Sequence, residues 1–169
     1  MESNHLTDSI VKYAYVLENK CNVENLEKWK DSFRSKLPTK EAFGSSLSAL
    51  GWSKTWPLYS EGKNKDRCRL VIDLIEECRR GSRPSDSYTI EHVLPDSEDP
   101  KHALVGNLLP LEEALNKRCR NLPLESKLLI YKESNFSSTR SFAERYGSIE
   151  FDIGTRTKHM ADTIYAMLS

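Results

Sequence analysis

The stretch GSRPSDS at residues 81–87 divides the chain into two segments whose apolar residues follow different periods. Gly, Pro, Ser and Asp cluster there, a composition that favours turns and interrupts regular structure. Before it, apolar residues recur at three- and four-residue intervals, as in Ile10, Tyr13, Ala14 and Leu17, then Phe43, Leu47 and Leu50, then Leu70, Val71, Leu74 and Ile75. Such spacing gives each segment one apolar face and predicts helices over residues 6–20, 23–37, 39–50 and 66–80. Pro38 stops the second, Gly51 ends the third, and Gly81 caps the fourth. Residues 51–65 hold Trp52, Trp56, Pro57, Tyr59 and Gly62 without a sustained period. They read as a loop whose aromatics tuck against a core, in preference to a base-stacking platform.

After the break, Tyr88–Val93 is a short strand-like run ended by Leu94-Pro95, and an acidic stretch from Asp96 to Asp99 leads to a second short strand at Val105–Leu109. A helix from about Leu111 to Asn121 carries Ala114, Leu115 and Asn116. Three more helices are predicted over 124–134, 138–146 with Gly147 behind it, and 154–168. A chain of 169 residues supports one well-packed core. The expected fold is therefore mainly α with a small β-hairpin. A helical accessory part spans 1–80, and a second part spans 81–169 with a strand–loop–strand–helix finger at 88–121. The two parts are expected to make one compact domain.

Lys plus Arg and Asp plus Glu are equal at 25 each, so any nucleic-acid contact must come from a local patch and not from bulk charge. Cys21, Cys68, Cys78 and Cys119 form no C-x-x-C pair, which excludes a zinc knuckle and a dense disulfide framework. No apolar run reaches the length of a membrane span, and the polar start MESNHLTDS lacks a signal core. A soluble, cytoplasmic protein is expected.

The finger segment places a polar residue on each element: Glu91 and His92 at the end of the first strand, Asn107 in the second, Asn116 within the helix. A neutral imidazole can take a proton from water because its ordinary pKa, about 6.5, lies near working pH. A hard divalent ion takes oxygen ligands, and the Asn116 amide with the Glu91 carboxylate would supply two while leaving room for water and phosphate. Those parts suffice for metal-assisted phosphodiester hydrolysis. Asn is a poor residue for a helix interior, so Asn116 between Leu115 and Lys117 asks for a reason. Asn107, by contrast, fits equally well as a residue that bonds nearby backbone.

Four strings carry a family resemblance: Tyr88-Thr-Ile-Glu-His-Val-Leu-Pro95, Val105-Gly-Asn-Leu-Leu-Pro-Leu111, Leu115-Asn-Lys-Arg118, and Asn121-Leu-Pro-Leu-Glu-Ser-Lys127 with Ile130-Tyr-Lys132. Together they resemble the nuclease domain at the C-terminal end of GmrSD-type type IV restriction enzymes, within the wider HNH, or His-Me finger, group. The helix around Arg156 resembles the family's closing helix, whereas residues 1–80 match only in helical character.

The resemblance implies a ββα-metal motif embedded in a helical domain, with His92 as general base and Asn107 holding the finger or orienting the imidazole. It implies Asn116 as a metal ligand and Glu91 as the acidic partner beside the base. Many HNH sites have Asp there, and the extra methylene of Glu91 changes its reach. Lys117, Arg118 and Lys127 fall where basic residues meet a phosphate backbone, and Arg156 on the last helix, three residues before His159, is a further phosphate-facing candidate. The implied function is endonucleolytic cleavage of DNA with Mg2+ or Mn2+, in defence against phage, beside a separate sensor domain or subunit for modified DNA. An RNA-cleaving nuclease and a non-catalytic DNA-binding module are the alternatives. His5 and His102 read as ordinary surface residues and Cys119 as a packing thiol.

Overall fold

The structure, a computed structural model, describes residues 12–16, 18–20, 22–82, 84, 87–120 and 122–169. The described residues up to Thr39, with Leu168–Ser169, form one compact unit and Lys40–Met167 form another. The sequence-based division at residue 81 does not coincide with that boundary, because the helix preceding it belongs to the same unit as the strands.

In the first unit, residues 12–16 and 18–19 are helical. The rest of the helix expected over 6–20, including Ile10 and Leu17, lies outside the described residues, as do His5 and Cys21. Helix α1 (Val23–Arg34) starts at Asn22, whose side chain accepts from the Asn25 N–H at 2.8 Å. It stops short of the expected Leu37. The N–H groups of Lys36 and Leu37 bond three residues back, to Phe33 and Arg34, which tightens the last turn before Pro38.

In the second unit, α2 (Lys40–Ser48) leads to Gly51, which pairs with Leu104 in an isolated bridge. Trp52 N–H donates to Ala103 O at 2.8 Å, and Val105 N–H to Leu50 O at 2.9 Å. A Cβ at Gly51 would lie 2.7 Å from Ala103 O, so only glycine allows this approach. Helix α3 (Gly62–Arg80) begins four residues before the expected Asp66 and ends at Gly81 with φ 72°. Its buried face is Cys68, Val71, Ile72 and Glu76; Leu70, expected in the core, is exposed. Glu76 accepts from the N–H groups of Ser137 and Ser138, capping the start of α6 (Ser137–Tyr146) with a negative charge.

Strands β1 (Thr89–His92) and β2 (Leu108–Leu111) form a two-stranded antiparallel sheet that pairs Thr89 with Leu111 and His92 with Leu108. The second strand starts three residues later than expected, because 105–107 form a 3-10 turn. Asn107 therefore precedes β2. The strand is buried on both faces, with Leu108 in one apolar cluster beside Val71, Ile72, Met160 and Ile164, and Leu109 and Leu111 in another beside Tyr131 and Phe142. Helices α4 (Glu113–Cys119), α5 (Leu124–Tyr131), α6 and α7 (Ile153–Leu168) complete the unit. Its architecture is mainly helical around one small sheet. Cys119 is fully buried in the second cluster, and burial pushes its thiol up to about 11.

A two-stranded sheet leaves one edge of each strand without a partner, and a buried edge must be satisfied in some other way. On β2 the outward carbonyls are those of Gly106, Leu108 and Pro110. Arg156 donates through Nη1 to Gly106 O and to Leu108 O, the latter at 3.0 Å, and Thr139 Oγ1 donates to Pro110 O at 2.6 Å. Pro110 has no N–H to leave stranded. Gly106 is required here as well, since a Cβ would lie 2.2 Å from Thr157 Oγ1 and 2.3 Å from Ile153 O. Arg156→Met should therefore lower unfolding free energy by about 2–4 kcal/mol, the cost of stranding two buried carbonyls. Urea denaturation checks this, and a change within about 0.5 kcal/mol would show that the edge does not need the guanidinium.

Candidate active site

The end of β1 presents two neighbouring side chains to opposite sides, as strand geometry requires. His92, half-buried, stacks on Trp52 with ring centroids 5.6 Å apart and planes 27° apart. Its Nε2 lies 2.9 Å from Trp52 O. The Trp52 carbonyl is itself fixed, because the N–H of the same residue is bound to Ala103 and the following loop is tied to the finger. Ser53 Oγ donates to Asp96 Oδ2 at 2.6 Å, and Trp56 Nε1 donates to Asp96 O.

Glu91 goes the other way. It is buried, and its Oε1 accepts from Lys127 Nζ at 2.8 Å and from Tyr131 OH at 3.0 Å. Burial and the adjacent Glu91 carboxylate hold the Tyr131 phenol far above its ordinary value, so it remains a donor. Lys127 also donates to His92 O at 2.8 Å and Val93 O at 3.1 Å. Its placement departs from the phosphate-facing position expected of it, for it is 1 % exposed and all three of its hydrogens point at protein oxygens. Arg156 departs likewise, being bound to the β2 edge with its guanidinium over the Phe142 ring.

Asn107 is fully buried and clasps the turn after His92. Its Oδ1 accepts from Leu94 N–H at 2.9 Å, and its Nδ2 donates to Leu94 O and to His102 O, both at 2.7 Å. His102, read from sequence as a surface residue, is half-buried with Nδ1 2.7 Å from Pro95 O, so it belongs to the same turn.

Asn116 donates from Nδ2 to Thr89 Oγ1 at 2.7 Å, which docks α4 onto β1. It lines a cleft of about 380 Å³ together with Trp52, Lys54, Lys65, Arg69, Thr89, Ile90, Glu113, Lys117 and Arg120. Five cations face one carboxylate there. Lys65 lies 5.2 Å from the Trp52 ring centroid, and Arg69 donates to Tyr88 O at 2.8 Å. Arg120 is the one non-glycine residue with positive φ, 26°, among those described, which places a strained backbone at the cleft. Lys117 joins the cleft while paired with Glu113 at 2.6 Å, and Arg118, outside it, makes a two-pronged pair with Glu133 at 2.6 and 2.8 Å. Both pairs are solvent-exposed and therefore easily exchanged for another anion.

The structure thus brings Trp52, Asn116 and Lys117 to one cleft, with His92 stacked on Trp52, and carries Glu91, Lys127 and Arg156 into the interior. Sequence reading missed Trp52, Lys54, Lys65 and Arg69, while Arg120 belongs to the basic run 117–120 that it marked for phosphate contact. Lys65 lies in the expected loop and Arg69 in the first turn of the expected helix, and nothing in sequence aimed either at the finger. Among the described residues no three His, Cys, Asp or Glu side chains gather closely enough to hold a metal ion by themselves, and no helix is long and apolar enough to cross a membrane.

Comparison with known proteins found no match among curated proteins and none among solved structures. The family model described as GmrSD restriction endonucleases, C-terminal domain, matches residues 53–163, from the loop beside Trp52 through the sheet, Asn116 and most of α7. With more than half of its length matched, the chain belongs to the family of GmrSD restriction endonuclease C-terminal domains.

Proposed function

We propose that the chain is the cutting domain of an anti-phage restriction system, a metal-dependent endonuclease that hydrolyses DNA phosphodiesters at an HNH, or His-Me, finger. The observation that carries this reading is the contact between His92 Nε2 and the Trp52 carbonyl. A carbonyl oxygen can only accept, so Nε2 bears the hydrogen, and in the neutral ring the lone pair lies on Nδ1. A general base needs that free lone pair, held in a fixed orientation. Stacking on Trp52 fixes the ring plane, and the Asn107 clasp fixes the turn behind it.

The donor set suits a hard divalent ion that keeps most of its waters, Mg2+ or Mn2+. Asn116 offers its amide oxygen, since Nδ2 is committed to Thr89, whereas Glu91, the second ligand expected from the sequence, is buried on the other side of β1 from His92 with Oε1 taken by Lys127 and Tyr131, so that water and phosphate would fill the ion's remaining positions. An ion held there would neutralise charge on the phosphoryl and leaving oxygens. The chain's own residues do the rest. His92 Nδ1 accepts the proton of the attacking water. Lys54, Lys65, Arg69, Lys117 and Arg120 line the path of the DNA backbone, and Arg118 exchanges Glu133 for phosphate at its margin. Contacts of that kind position a duplex without reading sequence, so recognition of modified DNA falls to a separate sensor domain or subunit.

Supercoiled plasmid incubated with Mg2+, with Mn2+ and with chelator tests the reading. Nicking should require metal, fall by at least about 100-fold in His92→Ala, and need more metal in Asn116→Ala. Wild-type turnover in His92→Ala would remove the base assignment. For the cleft, Lys54→Met and Lys117→Met should each weaken duplex binding and reduce the salt dependence of log K by about one charge. An unchanged salt slope in both would move the DNA path elsewhere.

A further inference from the structure

A second cavity, of about 140 Å³, opens between α3, α6 and α7. Its wall includes Ile75, Phe142, Tyr146 and Met160, and its polar groups are Arg79, Arg145, Arg156, His159 and the hydroxyls of Ser138, Ser141 and Thr163. Arg79, Arg145 and His159 are exposed at the mouth, while Ser138 and Arg156 are buried. Among the described residues no carboxylate lines it. Glu76, which caps the same helix, gives both oxygens to the N–H groups of Ser137 and Ser138.

Two features bear on what this cavity could take. Ser138 Oγ, in a residue only 6 % exposed, is the one buried side-chain polar atom among the described residues without a hydrogen-bond partner. A buried hydroxyl is rarely left so. The Arg156 guanidinium has its hydrogen bonds to backbone carbonyls but, among the described residues, no carboxylate to offset its charge, and buried charges are ordinarily paired. Arg79 holds Ser141 Oγ at 2.9 Å, which orients a guanidinium at the mouth.

We propose that this cavity binds a small phosphate-bearing anion. The phosphate accepts from Ser138 Oγ and meets the Arg79 and Arg145 guanidinium groups, while the apolar wall leaves room for the start of an organic substituent. Guanidinium groups suit this task because their planar forks match phosphate oxygens. The site uses none of the residues assigned to cleavage. An anion seated there would also neutralise the field around Arg156, which holds the β2 edge.

Isothermal titration of the full chain with inorganic phosphate, and with a nucleoside monophosphate, against chloride at equal ionic strength tests the proposal. Phosphate should bind in preference to chloride, and tighter binding of the monophosphate would identify an organic phosphate as the occupant. Arg79→Met with Arg145→Met should weaken binding at least tenfold, and Ser138→Ala several-fold, with plasmid nicking unchanged. His92→Ala and Lys117→Met should bind phosphate like wild type, which separates this cavity from the cleft. The proposal is overturned if phosphate binds no better than chloride. It is also overturned if the double arginine variant binds phosphate normally, or if that variant loses duplex affinity while its phosphate binding is unchanged, which would make the surface part of the DNA path.

Discussion

The Lys127 ammonium, closed off from solvent, gives its hydrogens to Glu91 Oε1, His92 O and Val93 O, and so joins α5 to the last residues of β1. A buried charge is tolerated only when paired and fully hydrogen-bonded, and here the partner is a carboxylate also held by Tyr131. Removing either partner would leave the other charged in an apolar interior, so the pair is obligatory once the fold exists. Its consequence is positional. The backbone on either side of the His92 carbonyl is fixed from below by Lys127 and, one residue further on, from above by Asn107.

The remaining restraints converge on the same turn. Asn107 binds both backbone groups of Leu94, and Arg156 and Thr139 complete the open edge of β2, against which β1 is registered. The loop at 51–56 comes from a different part of the chain and supplies the Trp52 carbonyl that His92 Nε2 meets. Gly51 makes that contact possible by admitting Ala103 O where a side chain would stand. The sheet is small, yet its buried strand is the point at which both apolar clusters meet. The orientation of His92 on this small sheet therefore depends on groups from three helices, the 3-10 turn at 105–107 and one loop.

Much of this was legible in sequence because it is local. The helices follow from three- and four-residue spacing, and the first strand from the run before Leu94-Pro95. Asn116 stands out because Asn is a poor residue inside a helix, and His92 because of the motifs that surround it. What was not legible is set by atoms that sequence does not distinguish. Any residue could offer the carbonyl that Trp52 offers. Lys127 was read as a phosphate contact from the family resemblance and Arg156 from its face on the last helix. Their burial depends on acceptors 34–36 and 48–50 residues away in the chain. The second strand was placed three residues early because Val105 and Asn107 look the same on paper in a strand and in a 3-10 turn. Leu70 shows the converse error: an apolar residue at nearly helical phase is left outside because the helix turns the face of Cys68, Val71, Ile72 and Glu76 to the core.

The tautomer of His92 tests the account most directly, since the base assignment rests on it. Long-range 15N–1H correlation of the 15N-labelled chain reports which ring nitrogen carries the hydrogen. With the ring neutral, the account predicts a protonated Nε2 and a lone pair on Nδ1. A hydrogen on Nδ1, or rapid exchange between the two forms, would contradict the Trp52 contact and with it the role given to His92.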